Sequence, residues 1–276
     1  MEQRKNRLLD TLVEAFKAES DGYAAVPTPS DAEGKRQLLR ALMNVRAPRA
    51  LDAETLRLQD AYLTERAAER GVVDALTVPT IAESLGSAHA HADTLSIWQG
   101  DITLLKCDAI VNAANSEMLG CFRPGHTCID NCIHTYAGVQ LRLACAEQME
   151  ALRRVHGRDY TQPTAVPMLT EGYNLPAKHV VHIVGPIVED RLTPGLEADL
   201  AACYRNTLDL CAANGLKTVA FCGISTGVFR FPPDRAAEIA VKTVSDWLRE
   251  HPGQMERVIF NVHKEPARQR YEALLA

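Results

Sequence analysis

The sequence predicts a three-layer α/β fold, a central sheet with helices on both faces, preceded by an all-helical N-terminal extension. Two changes of texture along the chain carry this reading. From about Thr94 onward, short runs rich in β-branched residues alternate with amphipathic helical stretches, a pattern that builds a sheet covered on both sides. Before Gly71 the apolar residues recur only at helical spacing.

Leu8, Leu9, Leu12, Val13 and Phe16 mark a first helix, and Leu38, Leu39, Leu42 and Met43 mark a second beyond a loop holding Pro27 and Pro29. Ser30 with Glu33 reads as a capping box for that second helix. A third helix is expected over Ala53–Arg70, laced with Arg and Glu pairs one turn apart and stopped by Gly71. No chemical motif falls in this stretch, so residues 1–90 read as a packing extension or lid and residues 91–276 as the sheet domain. In the latter, TLSIWQ, AIVNAA, AVPMLT, HVVHIVG, TVAFCGI and VIFNV read as strands. Ile133–Met149, Leu196–Cys211 and Ala236–Leu248 read as helices. Ligands of such sheets bind beyond the carboxyl ends of the strands, which directs attention to the strand-to-loop junctions.

Composition narrows the function classes. A net charge of −5 and no local basic patch argue against a nucleic-acid partner. The N-terminus MEQRKNRLLDTLVEAF has charges among its apolar positions, and no apolar run approaches the roughly 20 residues of a membrane span. The expectation is a cytoplasmic protein without a membrane partner, whose eight cysteines are reduced thiols.

Chemistry concentrates in two loops. The strand AIVNAA turns polar at Asn112 and Asn115, where amides that both donate and accept suit a sugar diol, although Asn is also an ordinary turn residue. Cys121, His126 and Cys128 follow in the spacing Cys-x4-His-x-Cys, on a loop that Pro124 and Gly125 keep irregular. Two thiolates and an imidazole favour zinc, and three protein ligands leave a position open for substrate or water. Asp130 and Asn131 come next, at the start of a helix, as N-terminal caps or as groups that orient a water and take its proton. Cys132 reads as core, and His134, His182 and His263 read as packing histidines. The second loop, CGISTGVFRFPPDR, places Gly223 and Gly227 around Ser225 and Thr226, which lets the backbone approach an anion. It is neither a P-loop nor a Rossmann turn.

Taken in order, WQGDIT, IVNAANSEMLG, HIVGP and ISTGVF resemble the macrodomain family across residues 91–265. The resemblance implies a mixed sheet and a cleft for ADP-ribose. In that cleft Asp101 would accept from the adenine amino group and Ile102 would line its pocket. Gly120 and the run Ser225, Thr226, Gly227, Val228 and Phe229 would hold the diphosphate and distal ribose, with Asn112 and Asn115 facing that ribose. Where most macrodomains carry a run of glycines, this chain has GCFRPGHTCIDNCIHTYAG. That departure resembles the zinc-dependent branch, and it implies one Zn²⁺ per chain held by Cys121, His126 and Cys128. The branch implies a hydrolase that removes mono-ADP-ribose from modified protein side chains, Asp- or Glu-linked, with Asp130, Asn131 and Asn115 as catalytic candidates. By the same resemblance a sirtuin-type ADP-ribosyltransferase and a lipoylated carrier protein are expected partners. The competing expectations are a reader of ADP-ribosylated proteins that does not cleave them, and a hydrolase of O-acetyl-ADP-ribose.

Overall fold

Strand and helix alternation becomes one mixed sheet in the computed structural model, which describes residues 2–276. Met1, the first residue of the expected extension, lies outside the described residues. The extension consists of α1 (Glu2–Lys17), α2 (Asp21–Ala24), α3 (Ala32–Val45) and α4 (Ala53–Arg70). The capping box expected of Ser30 and Glu33 does not form, and the cap lies one residue further on. Asp31 is the N-cap of α3, its side chain accepting from the Gly34 amide at 2.8 Å, and Ser30 lies outside the helix. Asp52 caps α4 in the same way, and α4 ends at Gly71, whose φ of +90° favours glycine.

The chain continues through β1 (Val73–Asp74), α5 (Ile81–Leu85), β2 (Leu95–Gln99), β3 (Leu105–Lys106) and β4 (Ala109–Ala114). Then come α6 (Ile129–Ala137), α7 (Val139–His156), β5 (Met168–Glu171), β6 (His179–Val184), α8 (Pro194–Ala213), β7 (Thr218–Phe221), α9 (Pro233–Glu250), β8 (Arg257–Val262) and α10 (Glu265–Leu275). Six strands form one sheet in the order β2-β8-β7-β4-β6-β5, parallel except for the antiparallel edge strand β5. β1 and β3 form a separate two-residue parallel ladder.

The helix expected over Ile133–Met149 is two helices, α6 and α7, broken at Gly138 with φ +96°. Apolar periodicity runs through the break, but three amides crowd it. A Cβ on Gly138 would lie 2.6 to 2.9 Å from Gln140 Oε1, Gln59 Nε2 and Asn174 Nδ2. The backbone groups freed by the break are satisfied from outside the helix. The Val139 amide donates to Gln59 Oε1 at 3.1 Å, and the Ala137 carbonyl accepts from the Asn174 amide and side chain.

Two hydrophobic cores result. The larger one joins the sheet to α5 through α10 and takes in Ala75, Val78, Ile81 and Ala92. The smaller gathers Leu9, Leu12, Val13, Phe16, Leu39, Leu42, Met43 and Leu63 with Val139, the first residue of α7. Five cysteines are buried in the large core. Cys132, expected there too, is instead half-buried and reaches the cleft described below, along with Cys128. Among the described residues no helix is long and apolar enough to cross a membrane.

Between the two cores lies Arg142 of α7, 5% exposed. Its Nη1 donates to the carbonyls of Met43, Asn44 and Arg46 at the end of α3, at 3.2, 2.8 and 2.6 Å, and its Nε donates to Leu119 at 2.7 Å. A cation at the C-terminal carbonyls of a helix is placed where the helix dipole favours it.

Candidate active site

A cleft of about 700 Å³ opens beyond the carboxyl ends of β4, β7 and β8, lined there by Ala113, Cys222 and Val262. This is where a parallel α/β sheet leaves room, because the strands stop and their loops diverge.

One wall is the loop after β7. Ser225 to Phe229 all line the cleft. Ser225 has φ +62°, and its Oγ is buried without a hydrogen-bond partner. The loop closes on itself through the Phe231 amide to Ser225 O at 3.0 Å and the Arg230 amide to Gly227 O at 3.0 Å. Among the described residues the amides of Gly227, Val228 and Phe229 donate to no backbone carbonyl, so they are free to serve an anion. Gly185, at the end of the β6 run, supports this wall from behind. A Cβ there would lie 2.1 Å from Ser225 Oγ and 2.7 Å from Ile224 Cγ2. Gly185→Ala is therefore expected to push the loop into the cleft and weaken ADP-ribose affinity by about 10–100-fold, the equivalent of about 1–3 kcal/mol of overpacking. Calorimetric titration with ADP-ribose checks this, and an unchanged Kd would contradict the loop assignment.

At one end of the cleft are Asp101 and Ile102. Asp101 caps a short 3-10 turn, its Oδ1 accepting from the Thr103 amide and hydroxyl at 3.0 and 2.6 Å. Its Oδ2 pairs with Arg70, the last residue of α4, whose guanidinium lies 3.8 Å over the Tyr136 ring. The extension thus reaches the cleft, which no motif in its sequence announced.

The opposite wall is the loop between β4 and α6, represented in the cleft by His126, Thr127 and Cys128. Cys121 Sγ, a ring nitrogen of His126 and Cys128 Sγ all lie within 4.8 Å of one another, and Cys121 Sγ is 3.6 Å from His126 Nδ1. A tetrahedral zinc with Zn–S of about 2.3 Å and Zn–N of about 2.0 Å sets its donors roughly 3.5–3.8 Å apart. The donor set and its spacing fit zinc. Burial pushes the Cys128 thiol up to about 12, against the lowering effect of the Asn131 amide that donates to it.

Beneath this loop the structure reassigns several expected roles. The N-cap of α6 is Cys128, its Sγ accepting from the Asn131 amide at 3.4 Å, so neither Asp130 nor Asn131 is the cap. Asn131 turns its side chain to the loop, with Nδ2 donating to the carbonyls of Cys121 and Arg123 at 3.3 and 3.0 Å and Oδ1 accepting from Arg40 at 3.0 Å. Asn115 is likewise employed within the chain, its Nδ2 on Gly120 O at 3.2 Å and its Oδ1 on the Glu117 amide at 3.1 Å. Gly120 packs on the His134 ring, which a Cβ would meet at 2.7 Å. None of Asn112, Asn115, Gly120, Cys121, Asp130 and Asn131 lines the cleft.

Asn112 is fully buried. Its Nδ2 donates to Asp130 Oδ1 at 2.8 Å and lies 3.1 Å from His182 Nδ1, while its Oδ1 has no partner. Asp130 is 5% exposed, and burial pushes its carboxyl up to about 6, against the Asn112 hydrogen bond and the Arg142 charge that lower it. His134 and His182 are held neutral, pushed down by burial, His182 to about 3. His182 packs in the core as expected and meets Thr170 Oγ1 at 3.0 Å. His263 does not pack: it follows β8, is exposed, and lines the cleft. Both histidines sit in apolar strand-like runs, and only the strand end at Val262 separates them.

The macro domain family model matches residues 111–240. A protein-ADP-ribose hydrolase of Treponema medium is 44% identical over 276 residues, covering all of both chains. One of Staphylococcus aureus is 42% identical, covering 96% of this chain and 93% of its own. A crystal structure of a Trypanosoma brucei macrodomain in complex with ADP-ribose superposes with a TM-score of 0.64 at 28% identity, covering 86% of this chain and 95% of that one.

Proposed function

The chain belongs to the macro domain family, and on that premise we propose that it hydrolyses mono-ADP-ribose from acidic side chains of modified proteins, with zinc as its resident metal. The observation that carries this reading is the thiol–imidazole–thiol cluster of Cys121, His126 and Cys128, two members of which, His126 and Cys128, line the same cleft as Ser225–Phe229. Its relatives named protein-ADP-ribose hydrolase support the substrate class.

In this reading the free amides of Gly227 to Phe229 bind the diphosphate and Asp101 receives the adenine amino group. That anchors both ends of the ligand and brings the C1″ carbon of the distal ribose to the metal loop. Such positioning is worth about 7–11 kcal/mol of a barrier when reacting atoms are held at attack distance. Cys121, His126 and Cys128 would hold the zinc, which when bound would supply Lewis-acid stabilisation of developing charge. Asp130 stands two residues beyond Cys128, just behind the cleft lining, and burial pushes its carboxyl up, which suits it to take up a proton delivered from the cleft. Water adds hydroxyl to C1″, the C1″–O bond breaks, and the side chain leaves as a carboxylate. Asn112 holds Asp130, and Asn115 and Asn131 hold the loop, so these three are positioning residues.

The test is release of free ADP-ribose from a mono-ADP-ribosylated glutamate, using zinc-loaded protein, chelator-stripped protein and stripped protein resupplied with zinc. Turnover is expected to vanish with the metal and return with it. Tight ADP-ribose binding without release in any sample would make the protein a reader. Release from O-acetyl-ADP-ribose alone would make it a small-ester hydrolase.

A further inference from the structure

The loop from Gly120 to Cys128 has little structure of its own. Its one internal backbone hydrogen bond runs from the His126 amide to Arg123 O at 3.2 Å, and Gly125 sits at φ +65° with open space around it. The place of His126 must therefore be set from outside the loop, and two contacts flank that residue directly. Arg40 Nη2 donates to the His126 carbonyl at 2.7 Å. Asn44 Oδ1 accepts from the Gly125 amide at 2.9 Å. Both come from α3, four residues apart and so on one face of the helix.

Neither contact is an isolated surface bond. Arg40 Nη2 also donates to Asn131 Oδ1 at 3.0 Å, and Asn131 in turn holds the carbonyls of Cys121 and Arg123. Asn44 is 1% exposed and donates from Nδ2 to Thr135 Oγ1 of α6 at 2.9 Å. One helix of the extension thus reaches the histidine donor at its carbonyl, its neighbour at the amide, and the first cysteine through Asn131.

We propose that Arg40 and Asn44 of α3 are positioning residues for the metal site: they hold His126 in register with Cys121 and Cys128, so the helical extension is a working part of the metal centre and no mere cover. The proposal rests on the zinc reading above. Groups that orient the ligands of a metal typically change its affinity by about 10–100-fold when removed.

The experiment is zinc affinity by competition with a chromophoric chelator, on full-length protein, for the wild type and for R40A, R40K, N44A, N44D and R36A. Arg36 is on the same helix but pairs with Glu33 at the surface, so R36A is a control. R40A and N44A are expected to lose about 10–100-fold in zinc affinity. N44D keeps the acceptor for the Gly125 amide but loses the donor to Thr135 Oγ1, so it and R40K are both expected to lie between the wild type and the alanine variants. Co²⁺ titration should show weaker thiolate-to-metal absorption in R40A, while ADP-ribose affinity of the metal-free protein stays within about two-fold of the wild type. Wild-type zinc affinity in both R40A and N44A overturns the proposal. So does affinity that merely follows melting temperature through the whole series, R36A included, since α3 would then be only a stabiliser. If the wild type itself binds no zinc, the metal reading of the site fails first, and this proposal with it.

Discussion

Cys128→Ser is expected to lose its zinc and about 10²–10³-fold in turnover, the scale on which single electrostatic contributors to an active site act, while the protein stays folded. Cys128 holds two posts at once, a donor in the proposed metal cluster and the N-cap of α6. Serine separates them. Its hydroxyl is among the best N-caps, so the Asn131 amide keeps an acceptor, but a neutral hydroxyl does not replace a thiolate on zinc. Cys128→Ala loses both posts and is expected to cost a further ~1 kcal/mol of stability. Zinc content, ADP-ribose release and urea unfolding measured on the two variants check the division. Full turnover by metal-free C128S would show that the cluster is not the catalytic metal site.

The second large effect concerns stability. Arg142→Met should destabilise the fold by about 3–5 kcal/mol, as when one partner of a buried charged network is removed. Methionine fills much of the space, yet it leaves the carbonyls of Met43, Asn44, Arg46 and Leu119 without their donor, and unpaired buried acceptors cost about 1–3 kcal/mol each before relaxation. The guanidinium also lies 4.2 Å over the Phe122 ring of the metal loop, so weaker zinc retention should accompany the loss. Urea unfolding gives the number. A shift below ~1 kcal/mol would mean that water replaces the arginine at the end of α3.

Most of the sheet was legible because its signal is local. TLSIWQ, AIVNAA, HVVHIVG and TVAFCGI each contain the strand that forms, and VIFNV is its strand less the first residue, Arg257, since a buried strand is apolar along most of its length. AVPMLT is a weaker case, in which only Met168 onward pairs, at the antiparallel edge. The clustering of Cys121, His126 and Cys128 was legible for the same reason, the three side chains lying within one short loop. What stayed hidden depends on residues far apart in the chain. Arg40 and Arg142 look like the solvated cations of amphipathic helices until the fold brings His126 and the end of α3 to them. The break at Gly138 was hidden because Gln59 and Asn174, which require it, come from distant segments. Asn115 and Asn131 are polar residues beside a cleft, and only the geometry shows that their amides are spent on the loop.

Gly138 has a consequence for how this chain can change over generations. Any side chain at that point must displace amides from α4, from α7 and from the turn before β6 together, and the residue that follows, Val139, belongs to the extension's core. A substitution at Gly138 therefore strains both sides of this crossing at once, the helical extension and the sheet domain whose family model matches residues 111–240.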